Sequence, residues 1–198
     1  MLVLASASPR RQELLRNVGV SFTVHPTNVP EQSLVGESAD DCAKRLAREK
    51  ARVAFQTQRK NFILGADTVV VVDGKIFGKP RDAADAARML RELSGRTHQV
   101  KTGVCLIGPS RTEDEKLEID FEDLRCETTT VTMDTLSEED IRSYVASGEP
   151  MDKAGSYAIQ GIAARWIPRI EGDYFNVVGL PVSLVYRMLR EHGWEPSP

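Results

Sequence analysis

The most apolar run in the chain, Phe62–Val72, is interrupted by a polar pair, Asp67-Thr68. A short continuous apolar run of this kind predicts a buried central strand. An aspartate in such a strand is costly unless it is paired or bound to a cation. A surface strand could tolerate it, but this run is apolar on both faces. We therefore interpret Asp67 as a functional residue, able to accept a proton from water or to hold a divalent metal.

A second candidate site lies near the start of the chain, at Ser6-Ala7-Ser8-Pro9-Arg10-Arg11. Residues 2–5 predict a buried strand, and Ser8 is suited to cap a helix whose first residue is Pro9. A helix N-terminus offers free backbone N–H groups and a partial positive charge, and arginine forks match phosphate oxygens. Spacing alone favours a phosphate site and a capped helix with solvated arginines about equally.

The remaining pattern predicts an α/β protein with a mixed sheet. Further strands are predicted at residues 22–24, 75–77, 100–107, 128–133 and 166–170, and further helices at 38–56, 82–93, 137–148 and from Pro181. The second helix is expected to bury Leu46, Ala47 and Val53. The acidic stretch 108–127 is interpreted as a solvated connection with strand extensions at either end.

Composition excludes several classes of protein. The formal net charge of -3, from 26 basic and 29 acidic residues, argues against a protein that coats nucleic acid or an anionic membrane. Neither the three cysteines nor the three histidines have the spacing of a metal site. No stretch approaches the ~20 apolar residues of a membrane-spanning helix. We expect a cytoplasmic protein.

Three lysines are weaker candidates. Lys79 follows the predicted hairpin, Lys50 lies on the second helix, and Lys153 follows Asp152 in a loop that also holds Gly155. Glycine permits close approach of a ligand there. A single lysine is more often a solvated charge, so the spacing alone supports this group only weakly.

Several motifs together resemble the Maf family. They are Leu4-Ala5-Ser6-Ala7-Ser8-Pro9-Arg10-Arg11, Gly65-Ala66-Asp67-Thr68-Val69, Gly78-Lys79-Pro80, Ser94-Gly95-Arg96-Thr97-His98, Ser147-Gly148-Glu149-Pro150-Met151-Asp152-Lys153-Ala154-Gly155, Gly172-Asp173-Tyr174 and Val178-Gly179-Leu180-Pro181. They occur in the family's order over nearly the whole chain. The resemblance implies one domain over residues 1–198 with a fold similar to that of inosine triphosphatases: an elongated mixed β-sheet flanked by helices, with two lobes around a cleft.

The resemblance also implies an activity. Maf proteins are nucleoside triphosphate pyrophosphatases that cut between the α and β phosphates with the help of a divalent cation, Mg²⁺ or Mn²⁺, and they are often homodimers. The tract Tyr157-Ala158-Ile159-Gln160-Gly161 is similar to that of the branch that acts on dTTP and UTP. Asp67 matches the family's proton acceptor, and Arg10, Thr68 and Gln160 match positions tied to substrate choice. Further matches are Ser6, Arg11, Lys50, Lys79 and Lys153 for substrate binding, and Glu31 with Asp67 for the metal.

Two alternatives stay open at this point. One is a pyrophosphatase for other nucleotides, namely inosine or xanthosine triphosphate or 7-methyl-GTP. The other is a non-enzymatic nucleotide-binding protein linked to cell division. The modest net charge counts against nucleic acid as a partner.

Overall fold

A seven-stranded mixed sheet forms the centre of the computed structural model, which describes residues 1–109 and 119–195. The strands are β1 (Leu2–Leu4), β2 (Phe22–Val24), β3 (Phe62–Val72), β4 (Lys75–Phe77), β5 (Thr97–Ile107), β6 (Glu122–Thr132) and β7 (Arg169–Glu171). Their order is β2-β1-β3-β5-β6-β7, and β4 pairs with β3. The predicted central strand is confirmed, because β3 runs parallel to β1 and antiparallel to β5.

Helices flank the sheet, and the sequence predicts all of them except the short helix Tyr174–Val178. They are α1 (Pro9–Asn17), α2 (Ala39–Phe55), α3 (Ala83–Leu93), α4 (Glu138–Ala146), α5 (Tyr174–Val178) and α6 (Val182–Glu191). Ser8, Ser38 and Ser137 cap α1, α2 and α4 with their side-chain oxygens. Each cap satisfies a backbone N–H that the first helical turn would otherwise leave free.

Helix α2 lies unusually close to the sheet because two strand residues beneath it are glycines. A Cβ on Gly65 would come 2.2 Å from the carbonyl oxygen of Ala47, and one on Gly103 would come 2.2 Å from that of Ala43. Gly103 pairs directly with Asp67 across β5 and β3. The close approach therefore brings the side chains of α2 to the polar pair of β3.

The hydrophobic core consists mainly of two large clusters. One packs Leu4, Leu64 and Leu106 against α1 and α6, and it includes Trp194. The other packs strand residues against α3 and α4, and it includes Trp166. No helix in the two described ranges is long and apolar enough to cross a membrane.

Three local predictions need correction. Trp166 ends a short 3-10 helix, Ile162–Trp166, and β7 begins only at Arg169, because Pro168 has no N–H to pair in a sheet. Val53 is 39% exposed, because the buried face of α2 is centred on its alanines and Val53 lies at the edge of that face. The loop predicted after Gly148 contains 3-10 turns at Glu149–Asp152 and Ala154–Ser156.

The structure describes the two ends of the acidic stretch 108–127. At its end, β6 extends back to Glu122, as the predicted strand extension requires. At its start, β5 ends at Ile107, so no extension forms on that side. The rest of the predicted connection, residues 110–118, lies outside the described residues.

Candidate active site

A cleft of about 1230 Å³ opens beside the middle of β3. All ten site residues predicted from the sequence line it: Ser6, Arg10, Arg11, Glu31, Lys50, Asp67, Thr68, Lys79, Lys153 and Gln160. They come from the β1–α1 connection, α1, the β2–α2 connection, α2, β3, the β4–α3 connection and the segment after α4. The fold therefore brings together side chains that are far apart in the sequence.

Positively and negatively charged side chains alternate in a hydrogen-bonded network that lines the cleft. Lys50 Nζ, on α2, donates to Asp67 Oδ1 at 2.6 Å and to Glu31 Oε1 at 2.5 Å. Lys79 Nζ donates to the other oxygen of Glu31 at 2.6 Å. Lys50 and Asp67 are both buried, whereas Glu31 and Lys79 lie toward solvent. A buried ion pair of this kind is costly to form, and removal of one partner leaves a charge without compensation.

The two carboxyl groups of this charge network, Asp67 and Glu31, differ in acidity. Burial raises the pKa of Asp67 above its ordinary value, against the opposing charges of Lys50 and Arg11. Partial burial also disfavours ionised Glu31, but the charges and hydrogen bonds of Lys50 and Lys79 outweigh it and lower the pKa of Glu31 to about 2. Asp67 is thus the stronger base of the two, and Glu31 stays ionised at any ordinary pH.

Arg11 is buried, and protein oxygens surround its guanidinium. It donates from Nε to the Gly179 carbonyl at 2.8 Å, from Nη1 to the Ala66 carbonyl at 2.8 Å, and from Nη2 to Thr68 Oγ1 at 3.0 Å. A further bond goes from Nη1 to Ser6 Oγ at 3.2 Å. Burial lowers the pKa of Arg11, while the nearby carboxylates oppose the shift. Arg11 therefore joins α1, β3 and the turn after α5.

Ser8 and Arg10 of the predicted anion turn are more open, whereas Ser6 is buried like Arg11. Ser8 caps α1, and its backbone N–H donates to Ser6 Oγ at 3.2 Å. Arg10 points away from Arg11 and donates from Nη1 to Asp152 Oδ2 at 3.1 Å. Asp152 also contacts Lys153. Asp152 lies in one of the sequence motifs, but the spacing did not indicate that it pairs with Arg10 and Lys153.

Thr68 belongs to a hydrogen-bonded network that the sequence did not reveal. Its hydroxyl lies 2.9 Å from that of Thr102, its partner across β3 and β5. Thr102 Oγ1 donates to the Asn176 carbonyl at 3.3 Å, and Asn176 Nδ2 donates to the Val100 carbonyl and to Thr129 Oγ1, each at 3.0 Å. This network fixes α5 against the sheet and thereby orients Thr68.

The donor set suits a hard divalent cation. Glu31 and Asp67 each place a carboxylate oxygen on the same ammonium group, so the two carboxylates converge. Mg²⁺ is commonly held by one or two carboxylates together with substrate phosphates and water. Within the described ranges, no cluster of three or more metal-ligating side chains is present.

The fold and the cleft define an α/β protein with a cleft lined by both cationic and carboxylate side chains. The Maf-like protein family model matches residues 1–192, and the chain belongs to that family. A dTTP/UTP pyrophosphatase of Koribacter versatilis is 53% identical over 192 residues, which cover 97% of this chain and 94% of that protein. A dTTP/UTP pyrophosphatase of Escherichia coli O157:H7 is 49% identical over 189 residues, which cover 95% and 91%.

A solved structure also shares the fold. The Ham1 protein of Staphylococcus aureus aligns with a TM-score of 0.51 over 96% of this chain and 98% of that chain, at 13% identity. At this identity the likeness concerns the fold alone. It confirms the predicted resemblance to the inosine triphosphatase-like fold.

Proposed function

We propose that this protein hydrolyses dTTP and UTP to the nucleoside monophosphate and pyrophosphate. The observation that carries the proposal is Asp67, a base with a raised pKa, buried in a cleft beside several cations. The names of the curated relatives, dTTP/UTP pyrophosphatase, support the same substrates.

The cations of the cleft would offset the charge of a triphosphate. Lys79, Arg10 and Lys153 all line the cleft and pair with carboxylates or carbonyls that a phosphate can replace. At ~4 Å the attraction between unit charges rises from about 1 kcal/mol in bulk water to about 4 kcal/mol at an intermediate dielectric. A substrate that excludes water from the cleft therefore strengthens its own binding.

Asp67 would act as the general base. Its carboxylate accepts a proton from the attacking water, and Lys50, 2.6 Å away, keeps it ionised and fixed in direction. Glu31 and Asp67 would hold a divalent cation, Mg²⁺ or Mn²⁺, which neutralises charge on the phosphates when bound. Arg11 would keep Thr68 and the backbone beside Asp67 in place.

Selection of the nucleobase is assigned to Thr68, Gln160 and Arg10, which all line the cleft. The Gln160 amide can donate and accept hydrogen bonds, as a pyrimidine edge requires, whereas the Thr68 hydroxyl, bonded to Arg11 and Thr102, would have to exchange a partner to do so. Gln160 is exposed and lines the cleft, so its amide is available to a ligand. Arg10 also lines the cleft and contacts Asp152.

The direct test is pyrophosphate release from a panel of nucleotides with Mg²⁺ and no protein partner. We expect dTTP and UTP to turn over much faster than ATP. Preference for ITP, XTP or 7-methyl-GTP would overturn the proposed substrates, and the absence of any turnover would favour a binding protein. Homodimer formation and a cytoplasmic location stay predictions.

The role of Asp67 is tested by Asp67→Asn, which keeps the shape of the side chain but cannot accept the proton as a carboxylate does. We expect loss of turnover with an unchanged circular dichroism spectrum. Asp73→Asn is the matched control, because Asp73 lies in the exposed β3–β4 turn, away from the cleft lining. Near-normal turnover by Asp67→Asn would refute the role.

A further inference from the structure

The wall of the cleft that contains Gln160 is held from behind by residues outside the cleft. The backbone N–H of Ala158 donates to Tyr144 Oη at 3.2 Å. That hydroxyl donates in turn to Glu149 Oε1 at 2.9 Å. The backbone N–H of Ile162 donates to both oxygens of Glu149, at 3.1 and 3.2 Å. One tyrosine and one carboxylate thus anchor the backbone on either side of Gln160.

The segment 158–162 is also in close contact with the Glu149 carboxylate at Gly161. A Cβ on Gly161 would come 2.2 Å from Glu149 Oε1, so a side chain at this position would displace either the Glu149 carboxylate or the segment. Tyr144 is buried and its ring packs edge-on against Trp166, at a centroid distance of 5.5 Å. The anchor therefore rests on the hydrophobic core rather than on a mobile surface group.

A third contact holds the start of the segment. Tyr157 is buried, and its hydroxyl lies 2.7 Å from His98 Nε2, on β5. Burial lowers the pKa of His98 to about 4, so the imidazole is neutral at ordinary pH. Within the described ranges, His98 Nδ1 has no hydrogen-bond partner, which leaves Tyr157 as the polar contact of this ring.

We propose that Tyr144 and Glu149 are positioning residues for nucleotide selection, which hold residues 158–162 so that the Gln160 amide meets the base. The proposal rests on the proposed function and adds the residues that set its selectivity. Of the cations assigned to the phosphates, Arg10 and Lys79 lie on α1 and the β4–α3 connection, and Lys153 contacts Glu149 through its backbone carbonyl and not through its side chain. Loss of the anchor should therefore disturb recognition of the base more than contacts to phosphate.

The test is Tyr144→Phe, which removes one hydroxyl and both of its hydrogen bonds while it keeps the ring. We expect kcat/KM for dTTP and UTP to fall about tenfold, as loss of a well-placed hydrogen bond gives. The preference over ATP should fall with it. Inhibition by inorganic pyrophosphate, which has no base, should change less than about twofold. Tyr186→Phe, an exposed tyrosine on α6, is the matched control.

Glu149 supplies a second pair of variants in case Tyr144→Phe does not fold. Glu149→Gln keeps one acceptor oxygen and should lose part of the preference, whereas Glu149→Ala should lose more. The backbone carbonyl that accepts from Lys153 is present in both variants, and inhibition by pyrophosphate measures whether the contacts to phosphate change. Thermal melting identifies variants that lose activity through unfolding.

The outcomes separate the two proposals. If the wild-type protein prefers dTTP and UTP and the anchor variants keep the same preference, the positioning role is wrong and the proposed function stands. The role is equally wrong if affinity for pyrophosphate falls in parallel with kcat/KM. If the wild-type protein releases no pyrophosphate from any nucleotide, the proposed function fails and the inference fails with it.

Discussion

Lys50→Met offers the sharpest test of the buried charges in the cleft. Lys50 is the one cation in direct contact with both Asp67 and Glu31 among the described ion pairs. Methionine retains most of the apolar length of the side chain and removes the charge. Glu31 keeps Lys79 as a partner at 2.6 Å, but Asp67 loses its hydrogen-bonded counter-ion. The substitution therefore leaves the buried Asp67 carboxylate without its hydrogen-bonded partner and with only the charge of Arg11 to oppose its burial.

The expected cost follows from the burial of the pair. The side chains of Lys50 and Asp67 are only 7% and 8% exposed. Removal of one partner from a buried pair destabilises a protein by about 3–5 kcal/mol. Lys44→Met is the control on the same helix, because Lys44 pairs with the exposed Asp41 at 3.4 Å. A surface pair of that kind contributes about 0–1 kcal/mol.

Urea unfolding at pH 7, followed by tryptophan fluorescence, measures both costs. We expect Lys50→Met to lower the free energy of unfolding by about 3 kcal/mol and the double variant with Asp67→Asn to recover most of it. Without Lys50 the pKa of Asp67 rises further, so the penalty is full above that pKa and shrinks as the pH falls and the carboxyl is protonated. A cost no larger than that of Lys44→Met, or no recovery in the double variant, would refute the reasoning.

Three further outcomes are expected. The kcat/KM should fall as the pH is lowered through the pKa of Asp67, which burial holds above the ordinary value of 3.8, and a pH–rate profile with no acidic limb above that value would contradict Asp67 as the base. Glu31→Gln should raise the Mg²⁺ concentration for half-maximal turnover about tenfold, equivalent to about 1.4 kcal/mol, in a metal titration; an unchanged titration would exclude Glu31 as a ligand. Gly103→Ala should destabilise the fold by about 1–3 kcal/mol, since α2 must move, whereas Gly78→Ala has open space and should cost less in the same thermal melt.

The sequence predicted the strand that carries the site because burial and polarity conflict there. An apolar run predicts a central strand. The aspartate within that run predicts a functional role, because a buried carboxylate is costly unless it is paired or bound to a cation. Both inferences are local, since they need only the neighbours of Asp67. The caps of α1, α2 and α4 were predictable for the same reason: a capping serine bonds to a backbone N–H three residues away.

The contacts between segments were beyond local reasoning. Nothing in the spacing of Lys50 and Asp67 says that α2 approaches β3 closely, because this depends on Gly65 and Gly103 in two different strands. The start of β7 was misplaced for a related reason. Trp166 belongs to the core under α3 and α4, and that packing prevails over the apolar pattern that suggested a strand.

Arg11 shows how the structure refines a prediction that the resemblance made in general terms. The family pattern groups Arg10 and Arg11 as substrate-binding residues, but the two guanidiniums have different surroundings. Three of the oxygens that Arg11 contacts belong to the protein backbone or to Thr68, at 2.8 to 3.0 Å, and a phosphate would have to compete with them in a buried place. Arg10 contacts an exposed carboxylate, which a phosphate can replace at small cost. We therefore expect Arg10 to exchange partners when substrate binds, and Arg11 to keep its own.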